Sequence, residues 1–200
     1  MISCHIVRCQ ESAVPTDVMF ITDFTHAGGR DVNRTTEIIK EVAGGLMTSD
    51  GTVRVGLVSN PCPDVSNVDM DASSTAEEFA SFVTTGKQKH QLSGILHTAR
   101  EKLTYVAEGA RKGVKRLAVV FVHGPISDLK ESAKQVMRAK FARNDPGVQF
   151  VFVGMGGRAQ ERQLLQLASE RNPNDVRMLL EEEGRDQITW QDVLASVCEG

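Results

Sequence analysis

The sequence predicts a doubly wound α/β fold: a mainly parallel central sheet, helices on both of its faces and one antiparallel edge strand. Apolar, β-branched runs alternate with amphipathic stretches along the chain. Runs such as LAVVFV and FVFVG are almost unbroken in apolar character, as strands covered on both faces require. At 200 residues and 40% hydrophobic, the chain can bury one sizeable core and is short for two. The expected division is an N-terminal segment with cysteines, 1–16, followed by a single domain, 17–198. Neither an internal repeat nor a linker interrupts the alternation.

Strands are expected at Asp17 to Thr22, Thr52 to Ser59, Arg116 to Val122, Gln149 to Val153 and Val176 to Leu180. Between them, Thr35 to Leu46 sets Ile38, Ile39, Val42 and Leu46 on one helical face, and Thr75 to Thr84 does the same with Phe79, Phe82 and Val83. Gln91 to Glu108 is the longest helical pattern, carrying Leu92, Ile95, Leu96, Ala99, Leu103 and Val106 at helical spacing. Ser127 to Phe141 opens on Ser127 as the expected cap with Glu131 in the first turn, and Glu161 to Ala168 and Thr189 to Val197 complete the set. In Pro61 to Ser74 the prolines remove ladder donors, so an edge hairpin or an irregular loop is expected there.

A net charge of −3 with scattered Lys and Arg argues against a nucleic-acid backbone as partner. No run approaches the roughly 20 apolar residues of a membrane span, and Met1 to Gln10 has no hydrophobic signal core. The chain reads as a domain excised from a larger protein. Cys4, Cys9, Cys62 and Cys198 lack metal-type C-x-x-C spacing, so disulfides in an oxidising compartment are expected, with buried free thiols as the alternative. A Cys9–Cys198 bridge would tie the domain's ends together, worth about 5 kcal/mol on the chain-entropy model, and would leave Cys4 with Cys62; four cysteines allow three pairings. Asn33-Arg34-Thr35 is a glycosylation sequon if the chain is secreted.

The stretch DVMFITDFTHAGG, Asp17 to Gly29, is an apolar strand that delivers a carboxylate and a hydroxyl into the loop before a helix, at the edge where open α/β sheets bind ligands. Its Asp23-Phe24-Thr25-His26-Ala27 resembles the D-x-S-x-S motif of von Willebrand factor type A domains. The run Val119 to Val122 followed by His123-Gly124-Pro125-Ile126-Ser127-Asp128 resembles that family's apolar strand and T-D-G loop. VQFVFVGMGGRAQERQLLQLAS resembles its later strand, glycine turn and short helix. The resemblance covers about Asp17 to Cys198 and implies the doubly wound, Rossmann-like fold of that family.

It also implies a metal-ion-dependent adhesion site, used to bind an acidic group on a protein partner. Magnesium needs an octahedron of oxygens. Asp23 and Thr25 suit it, whereas Ala27 has no oxygen to offer. Laying Ile95-Leu96 on the family's T-x-T-x-x-A-[LI] pattern puts His90 at its threonine, and His123 stands at the aspartate of T-D-G. Two readings follow. In one, the adhesion site is degenerate and holds no metal. In the other, Asp23, His90 and His123, with Thr25 and His26 beside them, form an imidazole and carboxylate set for zinc, copper or nickel rather than magnesium, weakening below about pH 6.5.

Gly154 to Ala159 formally matches the dinucleotide fingerprint, but after a late strand instead of the first. A nucleotide-cofactor enzyme using that turn is the alternative of another class. Cys62 has no visible base partner, and neither G-x-S-x-G nor H-E-x-x-H occurs. The expected function is therefore that of a non-enzymatic, extracellular module of matrix or adhesion type. Its expected partner is a protein such as collagen or another matrix component, and self-association of the domain is a further possibility.

Overall fold

The computed structural model describes residues 15–47, 51–59, 67–70, 75–83, 91–105, 109–141, 147–168 and 176–179. Five strands form one sheet: β1 (Thr16–Asp23), β2 (Val53–Val58), β3 (Lys115–Val122), β4 (Val148–Met155) and β5 (Val176–Leu179). Their order is β2-β1-β3-β4-β5, and every neighbouring pair is parallel. The helices are α1 (Gly29–Leu46), α2 (Ala76–Ser81), α3 (Leu92–Thr104), α4 (Leu129–Lys140) and α5 (Glu161–Ala168). The last expected helix, Thr189 to Val197, lies outside the described residues.

Alternation along each strand divides its side chains between two cores. Val18 and Phe20 of β1, Val55 and Leu57 of β2, Val119 and Phe121 of β3 and Val151 and Val153 of β4 face one side, where Ile39, Val42 and Leu46 of α1 and Phe79 of α2 pack. Met19 and Ile21, Val120 and Val122, and Phe150 and Phe152 face the other, against Leu92, Ile95, Leu96, Ala99 and Leu103 of α3, Val136 of α4 and Leu164 of α5. Parallel strands buried on both faces cannot show a polar side, which is why the runs read as unbroken.

The chain leaves β1 through α1 to β2 on one flank, and β3 lies on the opposite flank of β1. The carboxyl ends of β1 and β3 therefore meet at the reversal of strand order, where such sheets open a crevice. The register pairs Asp23, the last residue of β1, with Val122, the last of β3.

Some boundaries differ from expectation. Helix α1 starts six residues before Thr35, because Asp31 reaches back and its Oδ2 accepts from the Gly28 amide at 2.8 Å, meeting a donor that a helix start leaves open. Asp128, not Ser127, stands at the N-cap position of helix α4, with its side chain making no capping bond to that helix. The expected antiparallel edge amounts, among the described residues, to a single bridge in which Leu57 and Val68 exchange backbone hydrogen bonds of 2.9 and 2.8 Å.

At the amino edge of the sheet, fully buried Asp17 receives Arg54 in two-pronged fashion, Nε to Oδ1 at 2.9 Å and Nη2 to Oδ2 at 3.0 Å. Arg111 adds Nε to Oδ1 at 2.9 Å and donates onward to the carbonyls of Thr16, Gly51 and Thr52. This ionic clasp joins β1, β2 and the segment entering β3 at the end of the sheet opposite the crevice.

Candidate functional site

Strand β1 ends in a tight loop held by its own aspartate. Asp23 Oδ1 accepts from the Thr25 amide at 3.0 Å, and the Ala27 amide donates to the Phe24 carbonyl at 3.1 Å. Such local bonds suit Asp, whose short carboxylate competes with the ladder for backbone amides.

His123 is the first residue past β3 and is buried, at 3% exposure. Its Nδ1 lies 2.9 Å from the Asp23 carbonyl oxygen and its Nε2 2.9 Å from Thr35 Oγ1. A carbonyl only accepts, so Nδ1 carries the proton, and the Nε2 of a neutral ring competes with the Asp31 carbonyl for the single proton of the Thr35 hydroxyl. That hydroxyl also lies 2.8 Å from the Asp31 carbonyl, so it retains an acceptor in either orientation. Burial pushes the His123 pKa below the ordinary histidine value, against the opposing pull of the Asp23 carbonyl bond and the carboxylates of Asp31 and Asp23. The ring of Phe24 flanks it with centroids 5.1 Å apart.

The remaining loops are tied in by side chains. A Cβ placed on Gly124 would fall 2.6 Å from Cβ, Cγ and Cδ2 of His26, so the His26 imidazole lies directly against that glycine. Asp128 Oδ2 accepts from the Ser93 amide at 2.8 Å, which lets the β3–α4 loop cap the start of α3. Gln163 of α5 accepts from the Ile126 amide at 2.8 Å and donates to its carbonyl at 3.3 Å. Asp31 Oδ1 would lie 3.9 Å from a Cβ on Gly156, which brings the β4–α5 turn beside the start of α1.

Of the five residues expected at a metal, Asp23, Thr25, His26 and His123 converge on this edge, and His90 lies outside the described residues. The four described donors do not by themselves make a shell for an ion. Both nitrogens of His123 are engaged, Ala27 supplies nothing, and among the described residues no three His, Cys, Asp or Glu side chains group as a metal would need. Thr35 and Asp31 escaped sequence reasoning as parts of the site. The available signal was Thr35 itself, a fully buried hydroxyl in the apolar stripe of α1.

Elsewhere, Gly154 lies inside β4, where a Cβ would come within 2.5 Å of Met178 Sδ and 2.9 Å of Leu164 Cδ1, and Gly156 turns the chain at φ +69°. Packing and turn geometry thus occupy the glycines of the nucleotide-like motif. Asn33 is exposed in the first turns of α1. Cys4, Cys9, Cys62 and Cys198 lie outside the described residues. None of the helices among the described residues is long and apolar enough to cross a membrane.

The sequence matches the von Willebrand factor type A domain over residues 17–189. Among curated proteins, none matches. Among solved structures, the fold is similar to proximal thread matrix protein 1 from the mussel byssus, with a TM-score of 0.68 at 15% identity over 93% of this chain and 49% of that one. A second structure of the same mussel protein, described as having a zinc-occupied MIDAS motif, matches with a TM-score of 0.60 at 15% identity over 94% of this chain and 47% of that one. The pilus adhesin SpaC from Lactobacillus rhamnosus GG is similar at a TM-score of 0.64 and 9% identity, over 96% of this chain and 31% of that one. The chain spans about half or less of the length of these structures.

Proposed function

The chain belongs to the von Willebrand factor type A domain family, and from that premise we propose that it is a non-enzymatic binding module of an extracellular matrix or adhesion protein, engaging a protein partner through its carboxyl-edge loops. The observation that carries the reading is where the polar residues gather. Asp23, Thr25, His26 and His123 meet at the reversal of strand order, the position where open α/β sheets place ligands. Support from outside the chain comes from its structural neighbours, a matrix protein and a pilus adhesin. Collagen or another matrix protein is the partner class this reading names. The pairings Cys9–Cys198 and Cys4–Cys62, and a glycan on Asn33, belong to the same extracellular proposal.

The mussel neighbour with its zinc-occupied motif supports a divalent metal at this edge, zinc before magnesium given the imidazoles. Zinc held by Asp23, Thr25, His26, His90 and His123 would require the His123 ring to give up Thr35 or the Asp23 carbonyl.

The binding reading is tested on surfaces coated with fibrillar collagen and other matrix proteins. Saturable binding that is lost in Arg158→Glu, on the exposed β4–α5 turn, and kept in Lys112→Glu, exposed before β3 at the amino edge, is the expected result. Equal binding by both variants would place the contact elsewhere. A rise in melting temperature with NAD would instead favour the nucleotide-cofactor alternative at Gly154 to Ala159.

A further inference from the structure

His123, which stands where the family pattern has an aspartate, has a partner within the protein on each ring nitrogen. His123 joins the end of β1 through the Asp23 carbonyl and the second turn of α1 through the Thr35 hydroxyl, while its own backbone continues β3. Three elements that border the crevice are thus linked by one ring.

The two carboxylates nearest that ring are likewise met from within the protein. Asp23 Oδ1 accepts from the Thr25 amide, and Asp31 Oδ2 accepts from the Gly28 amide. Turning Nδ1 of His123 toward an ion would take its donor from the Asp23 carbonyl, and turning Nε2 would unlink the ring from α1, although the Thr35 hydroxyl would keep the Asp31 carbonyl. The His26 ring meanwhile fills the space over Gly124.

We infer that His123 is a positioning residue that braces the carboxyl edge through Asp23 and Thr35, so that the loops are ordered by hydrogen bonds without a divalent ion. The inference concerns how the edge is built: it stands whichever protein the loops bind, and it is the alternative to zinc held by His123.

The full chain serves for the test, by amide hydrogen exchange at Thr25, Ala27 and Ile126 and by nitrogen NMR of the His123 ring at neutral pH. In wild type, exchange is expected to be the same in EDTA, zinc or magnesium. The ring is expected to show a protonated Nδ1 and a bare Nε2 that zinc does not move. Thr35→Val should speed loop exchange by about tenfold, and Thr35→Ser, which keeps the hydroxyl, should restore it. Zinc that shifts the Nε2 resonance and slows loop exchange would overturn the brace, as would a Thr35→Val variant exchanging like wild type. If Thr35→Val does not fold, the chelation and ring measurements on wild type still decide.

Discussion

His26 and Gly124 constrain one another. The backbone of Gly124 does not adopt a left-handed φ, so it is the approach of the imidazole that leaves no room for a side chain there. A methyl group 2.6 Å from three His26 atoms, one of them Cβ, cannot be relieved by a small rotation at the tip of a side chain. Gly124→Ala should therefore cost about 2 kcal/mol in denaturant unfolding, the usual range for overpacking. Combining it with His26→Ala should recover most of that loss. If the Gly124→Ala penalty is the same with and without the His26 ring, the contact is not its cause.

At the scale of elements, the clasp around Asp17 does for the amino edge what His123 does for the opposite one. Arg111 reaches both the carboxylate and three backbone carbonyls, so Arg111→Ala should destabilise the fold by about 3 kcal/mol, because a fully buried charge loses one of its two cations. The clasp also predicts an acid limit. Burial tends to raise the Asp17 pKa, but the hydrogen bonds from Arg54 and Arg111 outweigh it and hold the carboxyl below its ordinary value. A carboxyl with a depressed folded pKa contributes stability that is complete above the unfolded value, about 4, and drains away as pH falls through the folded one. The stability gap between wild type and Asp17→Asn should then be constant from pH 7 to about 5 and shrink steadily below about 4. A gap that is flat down to pH 2 would show that the carboxylate's ionisation is not what the arginines stabilise.

For the whole molecule, the decisive feature is that every long strand contributes to both cores. Neither core can empty while the sheet persists, so the two faces should unfold together. Ile39→Ala in the α1 face and Leu96→Ala in the α3 face each remove a fully buried branched side chain, and each should cost about 2–5 kcal/mol. Both should lower one shared transition, seen alike by far-UV circular dichroism and by amide hydrogen exchange. Separate transitions in either variant would mean that the faces are independent units. The same architecture separates duties by edge, with the ionic clasp at one end of the sheet and the polar loops at the other.

Much of this was legible in the chain. Strand positions, the parallel doubly wound class and the helix faces follow from apolar periodicity, because burial on both faces or on one stripe leaves a local pattern that survives in one dimension. Asp23 at the end of the first strand was legible for the same reason. The start of α1 was less so, since Gly28-Gly29 and the sequon at Asn33 resemble a loop until Asp31 is seen to hold the Gly28 amide. What only the tertiary structure decided were the partnerships across long separations: His123 with Asp23 and Thr35, His26 with Gly124, Asp128 with Ser93, Gln163 with Ile126, and Asp17 with Arg54 and Arg111. A sequence records which groups can donate, accept or carry charge. Which of them meet depends on sheet order and register, and it is that meeting which gives the buried His123 ring a partner on each nitrogen.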